Sequence, residues 1–166
     1  MALGKAIGVT PLEAETATNK FWVNTYVHLV DEIEKRLGSE ESRELAYNAY
    51  HKAILTASMQ DWEKMIGKYP DAKVYAEWLF SDLPEGSEME IIEMTSENVK
   101  VKFTSCPFAP LFRSINKEKT GLILCSVDKD IANDFNRITG AKIGFKRTKL
   151  QMNGCDICDP HYYVKK

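Results

Sequence analysis

All four cysteines of the chain fall in its second half, at Cys106, Cys125, Cys155 and Cys158. A thiolate is both a strong nucleophile and a soft metal ligand. Cys155 and Cys158 form a C-x-x-C pair, a spacing that lets two sulfurs face one ion. Cys106 and Cys125 stand 18 residues apart instead of two, so only half of a two-knuckle zinc signature is present. Three uses stay open for these thiols. Cys106, Cys125, Cys155 and Cys158 could cage zinc or iron, with Cys155, Cys158 and His161 as a variant. One of them could be a nucleophile. Or they are packed apolar side chains, which the Leu122-Ile123-Leu124 run before Cys125 favours.

Cys125 and Asp128 are three residues apart, on one face of a helix if both lie in one. A carboxylate there raises the thiol pKa by like-charge repulsion, yet can take its proton as a general base. A place at the start of a helix would stabilise the thiolate. His161 is the one histidine of the second half, and a nitrogen base near a thiol is the usual partner of a cysteine nucleophile. His28 and His51 fall within long helical patterns, where packing explains them. Arg113 and Arg147 are candidate carboxylate clamps, because a guanidinium grips a carboxylate with two parallel hydrogen bonds.

These residues need elements to hold them. Residues 1–16 contain Pro11, show no strong period, and read as a loose or docking arm. Trp22, Tyr26, Leu29, Val30, Ile33 and Leu37 recur at helical steps and predict one buried face. Gly38 suits a helix end and Ser39 a new start. The second helix is expected to run to about Tyr69, stopped by Pro70, with Tyr47, Tyr50, Ile54, Ala57, Trp62, Met65 and Tyr69 inward. Asp71 can cap a short third helix carrying Val74, Trp78 and Leu79. From Glu88 the period changes. Glu88–Met94 and Val99–Phe103 read as strands around a Ser96-Glu97-Asn98 turn. Cys106–Ile115 and Gly121 to about Phe135 read as helices, and Ile143 onward and His161–Val164 as strands. The expected fold is α+β: N-terminal helices packed on a small antiparallel sheet, with a β-β-α-α-β-β second half. The 166 residues are expected to form one domain, a helical layer over 1–85 and a mixed part over 86–166.

Composition narrows the function. Lys and Arg number 22, Asp and Glu 24, so no basic face is expected and nucleic acid is an unlooked-for partner. No apolar run approaches the roughly 20 residues of a membrane span. The N-terminus lacks the apolar stretch of a secretory signal, so a cytoplasmic protein without disulfides is expected. The expected partner is a small molecule, with no nucleic acid and no membrane, and the long helices leave room for a homo-oligomer.

The stretch from Cys106 to Tyr163 resembles the L-2-amino-thiazoline-4-carboxylic acid hydrolase family. The resemblance rests on features in order: Cys106-Pro107-Phe108-Ala109, then Leu124-Cys125-Ser126-Val127-Asp128, Phe135-Asn136, Arg147-Thr148, and Gly154 to Asp159 before an aromatic strand. Pro160 after Cys158-Asp159, Arg137 after Asn136 and the extra Cys155 depart from the family pattern. The element order is also similar, more loosely, to the 4-vinyl reductase domain, a ligand-binding module. The first resemblance implies hydrolysis of a cyclic amidine at a non-peptide C–N bond. It implies Cys125, Asp128 and His161 as catalytic residues, and Arg147, Asn136 and Cys106 as substrate-binding ones. Either Cys125 attacks the ring carbon or Asp128 activates water, and Asp159 or His161 protonates the leaving group. No cofactor is expected for this chemistry. The alternative is a non-enzymatic module that binds a small molecule or a metal through its cysteines.

Overall fold

The computed structural model describes residues 10–166. Helix α1 spans Pro11–Leu37 and opens with a capping box: the Thr10 hydroxyl accepts from the Glu13 amide, and the Glu13 carboxylate accepts from the Thr10 amide. The expected loose arm over 1–16 is therefore helical from Pro11, and its first nine residues lie outside the described ones. After Gly38, α2 spans Ser39–Glu63. It stops well before Pro70. The chain turns through 64–68, Gly67 adopts a positive φ, and Tyr69 follows at φ 48°. Tyr69 is consequently exposed instead of inward. The Asp71 carboxylate then caps α3, Ala72–Phe80, by accepting from the Val74 amide at 2.9 Å.

Four strands form one antiparallel sheet in the order β1-β2-β4-β3: Glu88–Met94, Asn98–Ser105, His161–Val164 and Ile143–Lys146. Between β2 and β3 lie α4 (Phe108–Ser114), α5 (Glu118–Ser126) and α6 (Asp128–Thr139). The expected single helix from Gly121 is thus two, broken at the fully buried Val127. A short 3-10 turn at Gln151–Asn153 precedes β4.

Alternation sorts the sheet's two faces. Val99, Val101, Ile143 and Tyr162 point inward and join Trp62, Tyr75, Ile131 and Phe135 in the main core. Lys100, Lys102, Lys146 and His161 point out. A second cluster joins Val23 and Val27 of α1 to Ala109, Phe112, Leu124 and Met152. The inward face of α1 is therefore rotated from the expected one: Val23 and Val27 join the expected Val30 in burial, while Leu29 is 58 % exposed and Leu37 47 %. Gly121 holds this second cluster tight. A β-carbon there would stand 2.6 Å from the Met152 sulfur and 2.8 Å from the Phe112 ring, so α5 approaches its neighbours closer than a side chain permits. No described helix is long and apolar enough to cross a membrane.

Candidate functional site

The two clusters do not fuse completely. Between them lies a cavity of about 230 Å³, walled by α3, the end of β2, the start of α4, the α5–α6 junction, the end of β3 and the start of β4. Cys106, Cys125, Cys158, Asp128 and Arg147 all line it. Residues spread over 53 positions of sequence are brought to one space.

The break at Val127 makes this possible. It ends α5 just after Cys125 and starts α6 at Asp128, so both side chains face the gap. Arg147 follows the last residue of β3 and ties the junction together. Its Nη1 donates to Asp128 Oδ2 at 2.5 Å and its Nη2 to the Cys125 carbonyl oxygen at 2.8 Å. Its guanidinium lies over the Phe145 ring, 5.5 Å from the centroid. The side chain of Arg147 is 17 % accessible and that of Asp128 36 %, the latter among the groups facing the cavity.

Burial sets the protonation of these groups. It pushes the Cys125 thiol up to about 12. The Asp128 charge adds to the rise, Arg147 opposes it, and the thiols of Cys106 and Cys158 raise it further. Cys125 also occupies the C-terminal turn of α5, the negative end of the helix, so the expected thiolate-stabilising helix start is not there. Burial raises Asp128 as well, and the Arg147 charge and hydrogen bond hold the rise back. Burial raises Cys158, whose sulfur accepts from the Gln151 amide at 3.1 Å. The remaining wall is mostly apolar, with Phe80, Leu83, Phe103, Phe108, Leu150 and the inward face of Tyr162, and it also includes Ser87 and Ser105.

Other expected site residues lie elsewhere. His161 is on the opposite face of the sheet, beside a shallow groove with Lys100 and Lys146, its Nε2 3.1 Å from Asn98 Oδ1. Asn136 is spent on the backbone: Oδ1 accepts from the Ile143 amide at 2.6 Å, and Nδ2 donates to the Ile143 carbonyl at 2.7 Å. That clamp joins α6 to β3. Asp159 accepts from the Thr148 amide, the Thr148 hydroxyl and the Lys149 amide. Arg113 donates to the Gln151 carbonyl at the surface. The C-x-x-C pair is divided: Cys158 faces the cavity, whereas Cys155 faces an outer groove with Arg113 and Asp156. Among the described residues no three His, Cys, Asp or Glu side chains are grouped to hold a metal ion, which corrects the four-cysteine cage and its His161 variant. A wider acidic groove at the α1–α2 corner, lined by Glu40, Glu41 and Glu44, contains no thiol or base to pair with them.

The sequence reading missed the aromatic part of the site. Tyr50 and Tyr162 feel the Asp128 charge: burial first, then Asp128, pushes the Tyr50 phenol up to about 12 and Tyr162 well above its usual range. Tyr50 has the helical spacing of a core residue and packs against both clusters, whereas Tyr162, in the last strand, lines the cavity itself.

A family model described as L-2-amino-thiazoline-4-carboxylic acid hydrolase matches residues 19–162. No curated protein matches the chain. Among solved structures it is similar to a trafficking protein particle complex subunit 3 from Naegleria fowleri, in a crystal structure covalently bound to palmitic acid. That match has 14 % identity and a TM-score of 0.49, covering 90 % of this chain and 96 % of that one.

Proposed function

The chain belongs to the L-2-amino-thiazoline-4-carboxylic acid hydrolase family, and on that premise we propose that it opens a cyclic amidine at a ring C–N bond inside the cavity, with Cys125 as nucleophile and Asp128 as base. The observation that carries this reading is the convergence of Cys125, Asp128 and Arg147 on one half-open cavity.

At neutral pH Cys125 is a neutral thiol and needs a base at the moment of attack. Asp128 on the neighbouring turn takes its proton as sulfur bonds to the ring carbon between nitrogen and sulfur. Asp128 returns that proton to the ring nitrogen, the exocyclic nitrogen forms a double bond to the carbon as the ring C–N bond breaks, and the proton it sheds passes to the departing nitrogen, which leaves as an amine. Water next adds to the same carbon, the Cys125 sulfur leaves with a proton, and the product retains the water oxygen as a carbonyl. Arg147 keeps Asp128 oriented, and anionic whenever it is not carrying the transferred proton. Cys106 and Cys158 form the wall beside the reacting carbon.

The test is turnover of 2-amino-thiazoline-4-carboxylate and related thiazolines by wild-type and Cys125→Ala protein, with circular dichroism to verify folding. A loss of at least about a thousandfold is expected for a nucleophile. A folded Cys125→Ala protein with full activity excludes the covalent route and leaves water activated by Asp128.

A further inference from the structure

We infer that the hydroxyls of Ser87 and Ser105 form the subsite that holds the substrate's 4-carboxylate, and so set which ring substituent the cavity accepts. The inference rests on the cavity being the reaction site, as proposed above, and adds the residues that select its substrate.

Along β2, Val99, Val101 and Phe103 join the main core, and Met89 of β1 packs against the same core. One further step of two residues brings Ser105 at the end of β2 and Ser87 just before β1, and both line the cavity. They are neighbours across the two strands, since Ser105 pairs with Glu88. The inward stripe thus turns from apolar to hydroxyl where it leaves the core and reaches open space. Other half-buried or buried hydroxyls are used by the fold: that of Ser126 donates to the Ile123 carbonyl at 2.6 Å, and that of Thr139 to the Phe135 carbonyl at 2.7 Å. The Ser87 amide donates to the Pro84 carbonyl, but the Ser87 and Ser105 hydroxyls have no hydrogen-bond partner among the described residues. Two adjacent, unspent donors on a cavity wall suit one ligand group with two acceptor oxygens.

The opposite wall decides which group that is. Ring opening needs the amidine carbon beside Cys125 and Asp128, at the junction that Arg147 ties from the end of β3. β4 separates β3 from β2, so those strands stand two spacings apart, about 10 Å. That leaves room for one small ring, with its amidine at the β3 side and its 4-substituent turned to the serines. In the compound that the family's description names, the 4-substituent is a carboxylate. For Arg147 to grip it with two bonds, the guanidinium would have to give up Asp128 or the Cys125 carbonyl. The serines require no such exchange. Hydrogen bonds from their hydroxyls to an anion are charge-assisted, and in a half-open cavity the carboxylate keeps part of its water. Arg113 shares an outer groove with Ser105 and places a positive charge on its far side.

The experiment is isothermal titration calorimetry on the full chain with two probes: 2-amino-thiazoline-4-carboxylate, and 2-amino-thiazoline, which lacks the carboxylate. Ser87→Ala and Ser105→Ala combined should weaken binding of the carboxylate at least about tenfold and change that of the bare ring less than about threefold. An unchanged carboxylate affinity in the double variant overturns the inference. So does an equal loss for both probes, since a merely structural role would weaken them alike, and so does binding of neither probe to the wild-type chain. Ring opening is followed separately by product analysis. If the carboxylate affinity falls selectively while neither probe is ever opened, the hydrolase reading fails and the subsite stands. If the carboxylate is opened and the double variant leaves its KM unchanged, the subsite fails and the hydrolase reading stands.

Discussion

Arg147 and Thr148 are neighbours just past the end of β3, and they serve two aspartates in opposite ways. Arg147 reaches Asp128 at the cavity wall, whereas Thr148, with Lys149, reaches Asp159 on the loop that leads into β4. Asp128 has one charged partner and an accessible edge on the cavity, and burial raises its pKa. Burial would raise Asp159 too, but hydrogen bonds from the Thr148 side chain and from the Lys149 and Thr148 amides outweigh it and hold the carboxyl below its usual range. The difference teaches what separates a working carboxylate from a fastening one. Asp159 has its lone pairs filled by the loop it fastens, so it has little basicity left for a substrate. Asp128 is charge-balanced but under-coordinated, and its proton affinity is lifted toward the range where a base is useful.

The comparison can be broken most directly at Asp128. Asp128→Asn should lower turnover by about a hundred- to ten-thousandfold, with the far-ultraviolet spectrum unchanged, since an amide oxygen can still accept from Arg147. Retained activity would place Asp128 beside Asp159 as a fastening group. At the second aspartate the expected loss is in stability. Asp159→Ala should cost about 1–3 kcal/mol in urea unfolding, because it strips partners from two amides and a hydroxyl. Turnover at saturating substrate should stay within about threefold of wild type. Stability against pH sharpens the contrast. The Asp159 contribution is present above the unfolded carboxyl value and is lost as pH falls through its lower folded one. The Asp128 contribution has the opposite sign: it is present at low pH and lost as pH rises through its raised folded value. Relative to wild type, Asp128→Asn should therefore gain stability, and Asp159→Ala lose it, as pH rises from about 3 to 7. Two slopes of the same sign would refute the distinction. The smallest effect is expected at His161. His161→Ala should change turnover less than about threefold, since the imidazole lies across the sheet from the cavity and bonds Asn98.

Much of the scaffold was legible in the residues. Asp71 before Ala72 gave a cap, and Val99, Val101 and Phe103 alternating with lysines gave a half-buried strand. The α+β class and the antiparallel sheet followed from strands that adjoin in sequence. The inward face of α1 was misjudged because two apolar stripes compete there. One carries Trp22, Leu29 and Leu37, but the buried side chains are Val23 and Val27, which pack on α4, and the expected Val30, which packs on Ala46 and Ile123. The α5–α6 break left no signal, since Val127 is neither Gly nor Pro and the junction is held by its burial and by Arg147 reaching across from the end of β3. In the site, the ordered motifs gave Cys106, Cys125, Asp128, Arg147 and Cys158. They could not tell that Asn136 closes a helix–strand clamp or that Cys155 faces away from Cys158. Those outcomes depend on where β3 and β4 fall in space, which linear spacing does not encode.

The bulge in β1 has a consequence for how these molecules behave in concentrated solution. β1 is an outer strand, and its unpaired backbone could template another chain. The register slips between Ile91 and Glu93, so Ile92 stands exposed out of phase with its neighbours, and Glu88, Glu90 and Glu93 punctuate the same strand. An incoming strand would meet a kink and charged side chains, Glu90 and Glu93 paired with Lys102 and Lys100, instead of a flat ladder. On this edge the same irregularity that spoils one pairing in the sheet works against growth into fibres.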